Sequence, residues 1–291
     1  MTTRSPSASH DAVRTHLVPV PVEVDRQPED PRLGDVDEWG RSEHVREIAR
    51  RLLDPAYSKW FRVEWEGLEK IPTDGGALLV ANHAGAIPID APVIMHGIEK
   101  ELGRAVYGLA DYFFRTIPVV GTLWSRGGGV PARPDNAYRL LHDRRQLALV
   151  FPEGVRGTSK RYTDRYRLRR FGRGGFVEIA MRAGVPVIPI AVIGAEEAMP
   201  VVTTIPVLPR LIGVPYVPVT VNMLALGPLG LVVYFPSKFK LRVLDPVTFD
   251  VPPDLPRYSK SRVMDEAEQI RNRIQETVFD MLRDRRSVWF G

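Results

Sequence analysis

The chain has 291 residues, 44% of them hydrophobic, a formal charge of +5 and no cysteine. That length suits one large α/β domain or two small ones, with enough apolar sequence to bury a sizeable core. Without cysteine, disulfides and thiolate metal sites are excluded, and a reducing compartment is expected.

Residues 1–38 are polar, carry Pro6, Pro19, Pro21, Pro28 and Pro31, and lack an apolar run. They read as a loosely attached or disordered tail without a secretory signal, ahead of a domain over 39–291. Ser42 caps a helix with apolar positions Val45, Ile48, Ala49, Leu52 and Leu53, ended by Pro55. Phe61 to Trp65 alternates as a half-buried strand, and Asp74-Gly75-Gly76 is a turn. Ala77 to Ala81 is a continuous apolar strand, followed after Asp90 by a helix with Val93, Ile94 and Ile98 inside. Further strands are expected over Ala105–Leu109, Gly129–Ala132, Leu147–Phe151, Pro186–Ile193 and Lys238–Leu244. The intervening helices are expected over Phe113–Trp124, broken near Pro118 and Gly121, then Asp135–Arg144 behind Pro134, and Gly175–Ala183 closed by Gly184. This alternation predicts an α/β fold, a single mostly parallel or mixed sheet flanked by helices.

Three further stretches stand apart. Lys160, Arg161, Arg165, Arg167, Arg169, Arg170 and Arg173 crowd together with only Asp164 opposing them, a pattern that favours phosphate groups. No nucleic-acid-binding motif accompanies the charge, so nucleic acid is not an expected partner. Leu211 to Phe235 contains no charged residue. Its prolines and glycines argue against a straight transmembrane span and for an apolar surface segment that enters one leaflet or lines an acyl-chain groove, or for plain core. From 259 to 285, Val263, Ala267, Ile270, Ile274, Val278 and Met281 share one face of a C-terminal amphipathic helix.

Four segments carry the chemistry: Asn82-His83 through Asp90, Gly129 to Arg133, Phe151-Pro152-Glu153-Gly154-Val155-Arg156-Gly157, and Gly184 to Ile190. Each follows a strand-like run, and ligands of open α/β sheets bind where the carboxyl ends of strands meet their loops, so four such loops on one sheet edge would converge on one crevice. A His steered by a carboxylate is the minimum equipment for taking a proton from a hydroxyl. No carboxylate–imidazole cluster has metal-ligand spacing, and no Gly-x-Ser-x-Gly elbow or P-loop is present, so neither a metal nor a cofactor is expected.

The four blocks, in this order, resemble the glycerolipid acyltransferase superfamily of lysophosphatidic-acid-acyltransferase type, over roughly Phe61 to Asp245. The resemblance implies a glycerol-3-phosphate-acyltransferase-like fold and direct acyl transfer from acyl-CoA, or acyl carrier protein, as co-substrate. In that reading His83 is the general base and Asp90 steers it. Glu153 and Gly154 shape the acceptor site, and Arg133 and Arg156 grip an acceptor phosphate. The first acceptor implied is a lysophospholipid, 1-acyl-glycerol-3-phosphate, with the enzyme peripherally attached to a membrane surface on its cytoplasmic, inner face. One departure bears on the acceptor. Six residues separate His83 from Asp90 where the family usually has four, and this longer form is similar to the diacylglycerol-acyltransferase-like branch. On a continuous helix the pair would stand about 10 Å apart. Gly85 and Pro88 favour a looser turn that returns Asp90 to the ring. A neutral acceptor, diacylglycerol or a long-chain alcohol, is the alternative within the class. A non-catalytic lipid-binding protein that docks on membranes is the alternative outside it.

Overall fold

The computed structural model describes residues 34–111, 119–205, 214, 216–253, 255 and 257–291. Residues Asp35–Gly291 form one compact unit. The expected tail lies outside the described residues as far as residue 33. Residues 35–38 are tied to the domain, because the Asp37 carboxylate accepts from the Trp39 and Arg41 backbone N–H groups and from the Tyr107 hydroxyl.

In chain order the elements are α1 (Glu43–Pro55), β1 (Glu64–Glu66), β2 (Ala77–Ala81), α2 (Asp90–Leu102), β3 (Val106–Ala110), α3 (Val120–Arg126), β4 (Gly129–Pro131), α4 (Pro134–Tyr138), β5 (Leu147–Val150), α5 (Val155–Thr158), α6 (Gly175–Ala183), β6 (Val187–Ile193), α7 (Ala195–Ala198), β7 (Val201–Ile205), β8 (Val217–Thr220), α8 (Val221–Leu226), β9 (Lys240–Val243) and α9 (Lys260–Asp284). Seven strands form one sheet in the order β1-β9-β6-β2-β5-β3-β4, and β7 pairs with β8 in a separate antiparallel ribbon. In the main sheet only β6 with β9 is antiparallel. The mixed sheet flanked by helices is the architecture expected from the alternation.

The sheet has a core on each face. Ala77, Leu79 and Ala81 point to one, shared with Ile94 and Ile98 of α2, while Leu78 and Val80 point to the other, shared with Val177 of α6 and Ile270, Ile274 and Val278 of α9. The period-2 alternation along β2 is thus buried on both sides, which is why it reads as an unbroken apolar run. The apolar face of α9 packs on this second core.

Two expectations change. Ser42 does cap α1, its hydroxyl accepting from Val45 N–H, but Ile48 and Leu52 are exposed. The buried residue of α1 is Arg46, whose guanidinium pairs with the buried Glu99 of α2. α3 begins at Val120 and continues through Gly121 instead of breaking there, and residues 112–118 of the expected helix lie outside the described residues.

Candidate functional site

β2, β5 and β6 are adjacent and parallel, so their carboxyl ends open on one edge of the sheet. From β2 the chain passes through Asn82, whose side chain continues the ladder to β6 by donating to Val192 O (2.9 Å) and accepting from Val192 N–H (2.8 Å). This fixes the exit direction of His83. Gly85 then takes φ +83°, a left-handed conformation open to glycine without penalty, and a Cβ there would stand 3.0 Å from Ala195 O. The chain doubles back into α2, whose first residue is Asp90.

The six-residue spacing therefore closes into a contact. Asp90 is fully buried, and its Oδ2 lies 2.8 Å from His83 Nδ1. The same oxygen accepts from Ala84 N–H (3.0 Å), and Oδ1 accepts from Ala91 N–H (2.8 Å). A carboxylate facing Nδ1 holds the proton on that nitrogen and leaves the lone pair on Nε2. The imidazole stacks on Phe151, centroids 4.1 Å apart at 18°, which fixes the ring plane. His83 keeps 12% of its side-chain surface, enough for a reactant to touch one edge. Such a pair can accept a proton from a hydroxyl at Nε2 while the carboxylate stabilises the imidazolium that results.

Glu153, in the turn after β5, is 4% exposed and faces inward. Its Oε1 accepts from His83 N–H (2.9 Å) and its Oε2 from Arg169 N–H (2.6 Å), with Lys160 Nζ 3.6 Å away. Its carboxylate is spent on the backbone behind the imidazole, so the structure places it as a support of the His83 turn and not as an open contact for a ligand. Gly154 is exposed with φ +55°. Gly157 packs so closely that a Cβ there would meet His83 O at 2.7 Å and Glu153 Cβ at 3.0 Å. The first and third blocks are thus interlocked.

Arg156 is exposed and, with Ser159, Lys160, Arg161, Asp164 and Arg169, lines an open cleft of about 360 Å³. Arg133, exposed before α4, follows β4, three strands from β2 or about 14 Å by ordinary strand spacing. The structure does not bring Arg133 into contact with His83, Asp90 or Glu153. The fourth block is not a loop on this edge. Val185 and Pro186 precede β6, so they sit at the opposite edge, and Val187 to Ile190 is buried strand. Pro189 lies at the end of the β6–β9 ladder, where its carbonyl accepts from Leu244 N–H (2.9 Å) and its missing N–H forfeits only the return bond.

Four contributors escaped the sequence reading. Lys160, taken as part of a basic surface, is buried and donates to Glu196 of α7 (3.0 Å). Burial pushes the Glu196 carboxyl above its ordinary range, opposed by Lys160. Glu196 follows β6 at the same carboxyl edge, and the rule that selected the other loops would have found it. From the uncharged segment, Tyr216 donates its hydroxyl to Ala86 O and Tyr234 to Ile87 O (3.1 Å). The turn between His83 and Asp90 is thereby held from outside, and burial pushes the Tyr216 phenol up to about 12.

A family model described as Acyltransferase matches residues 62–193, the span from β1 to the end of β6. An uncharacterized protein of Mycobacterium tuberculosis is 39% identical over 259 residues, covering 88% of this chain and 72% of the relative. Residues 62–193 of this chain are an acyltransferase domain. The acyltransferase shares the fold of the 1-acyl-sn-glycerophosphate (LPA) acyltransferase of Thermotoga maritima, with a TM-score of 0.53 at 23% identity, over 84% of this chain and 82% of that one. It is also 33% identical over 146 residues to the human DGAT1/2-independent enzyme synthesizing storage lipids, covering 50% of this chain and 44% of the human protein. Acyl transfer is the activity that the matched family model assigns to this span.

Proposed function

We propose that this acyltransferase moves a fatty acyl group from an acyl-CoA, or acyl carrier protein, thioester to the hydroxyl of a neutral glycerolipid of the diacylglycerol type. The observation that carries the chemistry is the 2.8 Å contact between His83 Nδ1 and the buried Asp90 carboxylate. The acceptor O–H proton passes to His83 Nε2 as the oxygen attacks the thioester carbonyl. The tetrahedral oxyanion collapses with cleavage of the C–S bond. The departing thiolate takes the proton back from the imidazolium, giving ester and free thiol. Asp90 keeps the ring in the tautomer that accepts and offsets its charge during the step. No enzyme nucleophile is required, in keeping with a chain that lacks cysteine.

The neutral acceptor is supported by likeness to the storage-lipid enzyme and by the long His83–Asp90 turn. Lysophosphatidate is the second reading, favoured by one observation: exposed Arg156 in the open cleft, at the position the family uses for a phosphate. Attachment is proposed to be peripheral and cytoplasmic. Among the described residues no helix is long and apolar enough to cross a membrane.

Purified protein mixed with palmitoyl-CoA and, separately, diacylglycerol, a long-chain alcohol or lysophosphatidate tests the reading by release of free thiol. The expected result is release with diacylglycerol exceeding that with lysophosphatidate, abolished by His83→Ala. Faster turnover of lysophosphatidate transfers the conclusion to the second reading. Appreciable turnover by His83→Ala removes His83 from the role of base.

A further inference from the structure

The uncharged segment folds as a knob turned inside out. α8 and the turn Gly227–Leu231 pack together with their polar groups inward. Thr220 caps α8 through Met223 N–H, and both Thr220 and Asn222 are fully buried. Asn222 Nδ2 donates to Ala198 O and Val233 O, and Gly230 lies against the Asn222 backbone so closely that a Cβ would overlap it. The large apolar side chains are the ones left outside. Leu224, Leu229 and Val232 are 69%, 67% and 70% exposed, with Leu226 and Val233 beside them in sequence. A knob whose exposed side chains are all apolar is suited to lipid and not to water.

Two observations fix the occupant. The knob sits beside the candidate site, since Tyr234 at its base donates to Ile87 O in the turn between His83 and Asp90. The loop beside the base of the β7–β8 ribbon brings charge. Val201 of β7, which pairs with Thr220 of β8, lines one small crevice with Gly85, Arg161 and Arg165. Exposed arginines near the base of an apolar knob match an anionic lipid surface. We infer that the knob formed by α8 and the following turn inserts into the interface of an anionic membrane, with Arg161 and Arg165 meeting its headgroups. Docked in this way, the His83 turn lies at the surface from which a lipid acceptor enters. The inference rests on the proposed lipid acceptor for its purpose, but not for its test.

The test uses the full chain and vesicles, with no turnover required. The chain has no cysteine, so Leu229→Cys labelled with a polarity-sensitive dye reports on the tip alone. A label at Asp74→Cys, in the turn that leads into the opposite end of β2, serves as control. Mixed phosphatidylcholine–phosphatidylglycerol vesicles are expected to blue-shift the dye at 229 and not at 74, and pure phosphatidylcholine to do so weakly. Leu224→Glu with Leu229→Glu is expected to lower the vesicle partition coefficient at least ~10-fold while leaving thiol release with a water-soluble short-chain acceptor unchanged. An unshifted dye at 229, or undiminished partitioning of the double variant, overturns the inference. So does a double variant that loses self-association in sedimentation but still binds vesicles, since the knob would then be a contact between copies. Intact vesicle insertion with no thiol release on any acceptor would instead defeat the proposed function and leave the knob's role standing.

Discussion

Replacing Asp90 by Asn tests the site at its most constrained atom. The native Oδ2 accepts from both His83 Nδ1–H and Ala84 N–H, while Oδ1 accepts from Ala91 N–H. An amide offers one acceptor and one donor. With its oxygen toward His83 the ring keeps its tautomer, but the amide NH₂ faces Ala91 N–H. With the amide turned over, NH₂ faces Ala84 N–H and forces the imidazole to accept at Nδ1, which puts the proton on Nε2 and disables it as a base. Either way one buried donor opposes another, at a cost of about 1–3 kcal/mol in folding stability. The turned-over form also loses the base, and both forms lose the anion beside the imidazolium. General-base assistance is worth ~10²–10⁴ in rate, so kcat is expected to fall by that factor, about 3–5 kcal/mol at 1.36 kcal/mol per decade. Thiol release from palmitoyl-CoA at saturating acceptor gives kcat, and urea unfolding gives the stability change. Asp90→Asn retaining more than about a tenth of the wild-type kcat would refute the assignment.

Gly157→Ala drives a methyl group to within 2.7 Å of His83 O and is expected to lower kcat and to cost about 1–3 kcal/mol of stability; unfolding curves and thiol release measure the two separately. Arg156→Ala is expected to slow lysophosphatidate more than diacylglycerol, and equal losses in kcat/KM would remove Arg156 from any phosphate role. Burial holds the pKa of His96 below its ordinary value, its Nδ1 being buried without a partner. A depressed pKa means that the unfolded chain binds the proton more readily, so this contribution to stability is present above pH ~6.5 and is lost as the pH falls through the lowered value. The melting temperature should therefore drop on that acid limb, less steeply for His96→Gln.

Much of the sheet was legible because its strands are buried on both faces and read as apolar runs: β2, β5 and β6 stand close to where Ala77–Ala81, Leu147–Phe151 and Pro186–Ile193 were read. The strand–loop junctions were legible for the same reason. What was not legible depended on tertiary partners. α1 seemed amphipathic from Ile48 and Leu52, yet it is seated by Arg46 on Glu99, a pairing across 53 positions that no local period reveals. Lys160 looked like one more surface cation in a basic run, yet it is buried between Glu153 and Glu196, which α7 brings to the same edge. The fourth block was placed on the wrong edge because a Val-Pro run does not say whether it enters or leaves a strand. The return of Asp90 to His83 needed Gly85 and the two tyrosines, and the tyrosines lie 130 and 147 positions from the carbonyls they hold.

The insertion of β9 between β1 and β6 has a consequence for biosynthesis. β1 emerges from the ribosome early, yet its hydrogen-bonding neighbour is Lys240–Val243, translated some 176 residues afterwards. Until then β1 is a strand without a ladder, and one side of β6 stands open as well. A nascent chain stalled before β9 would hold the histidine and its carboxylate already in place on an unclosed sheet. Such an intermediate would be open to aggregation along that seam, and it marks where a chaperone would be needed.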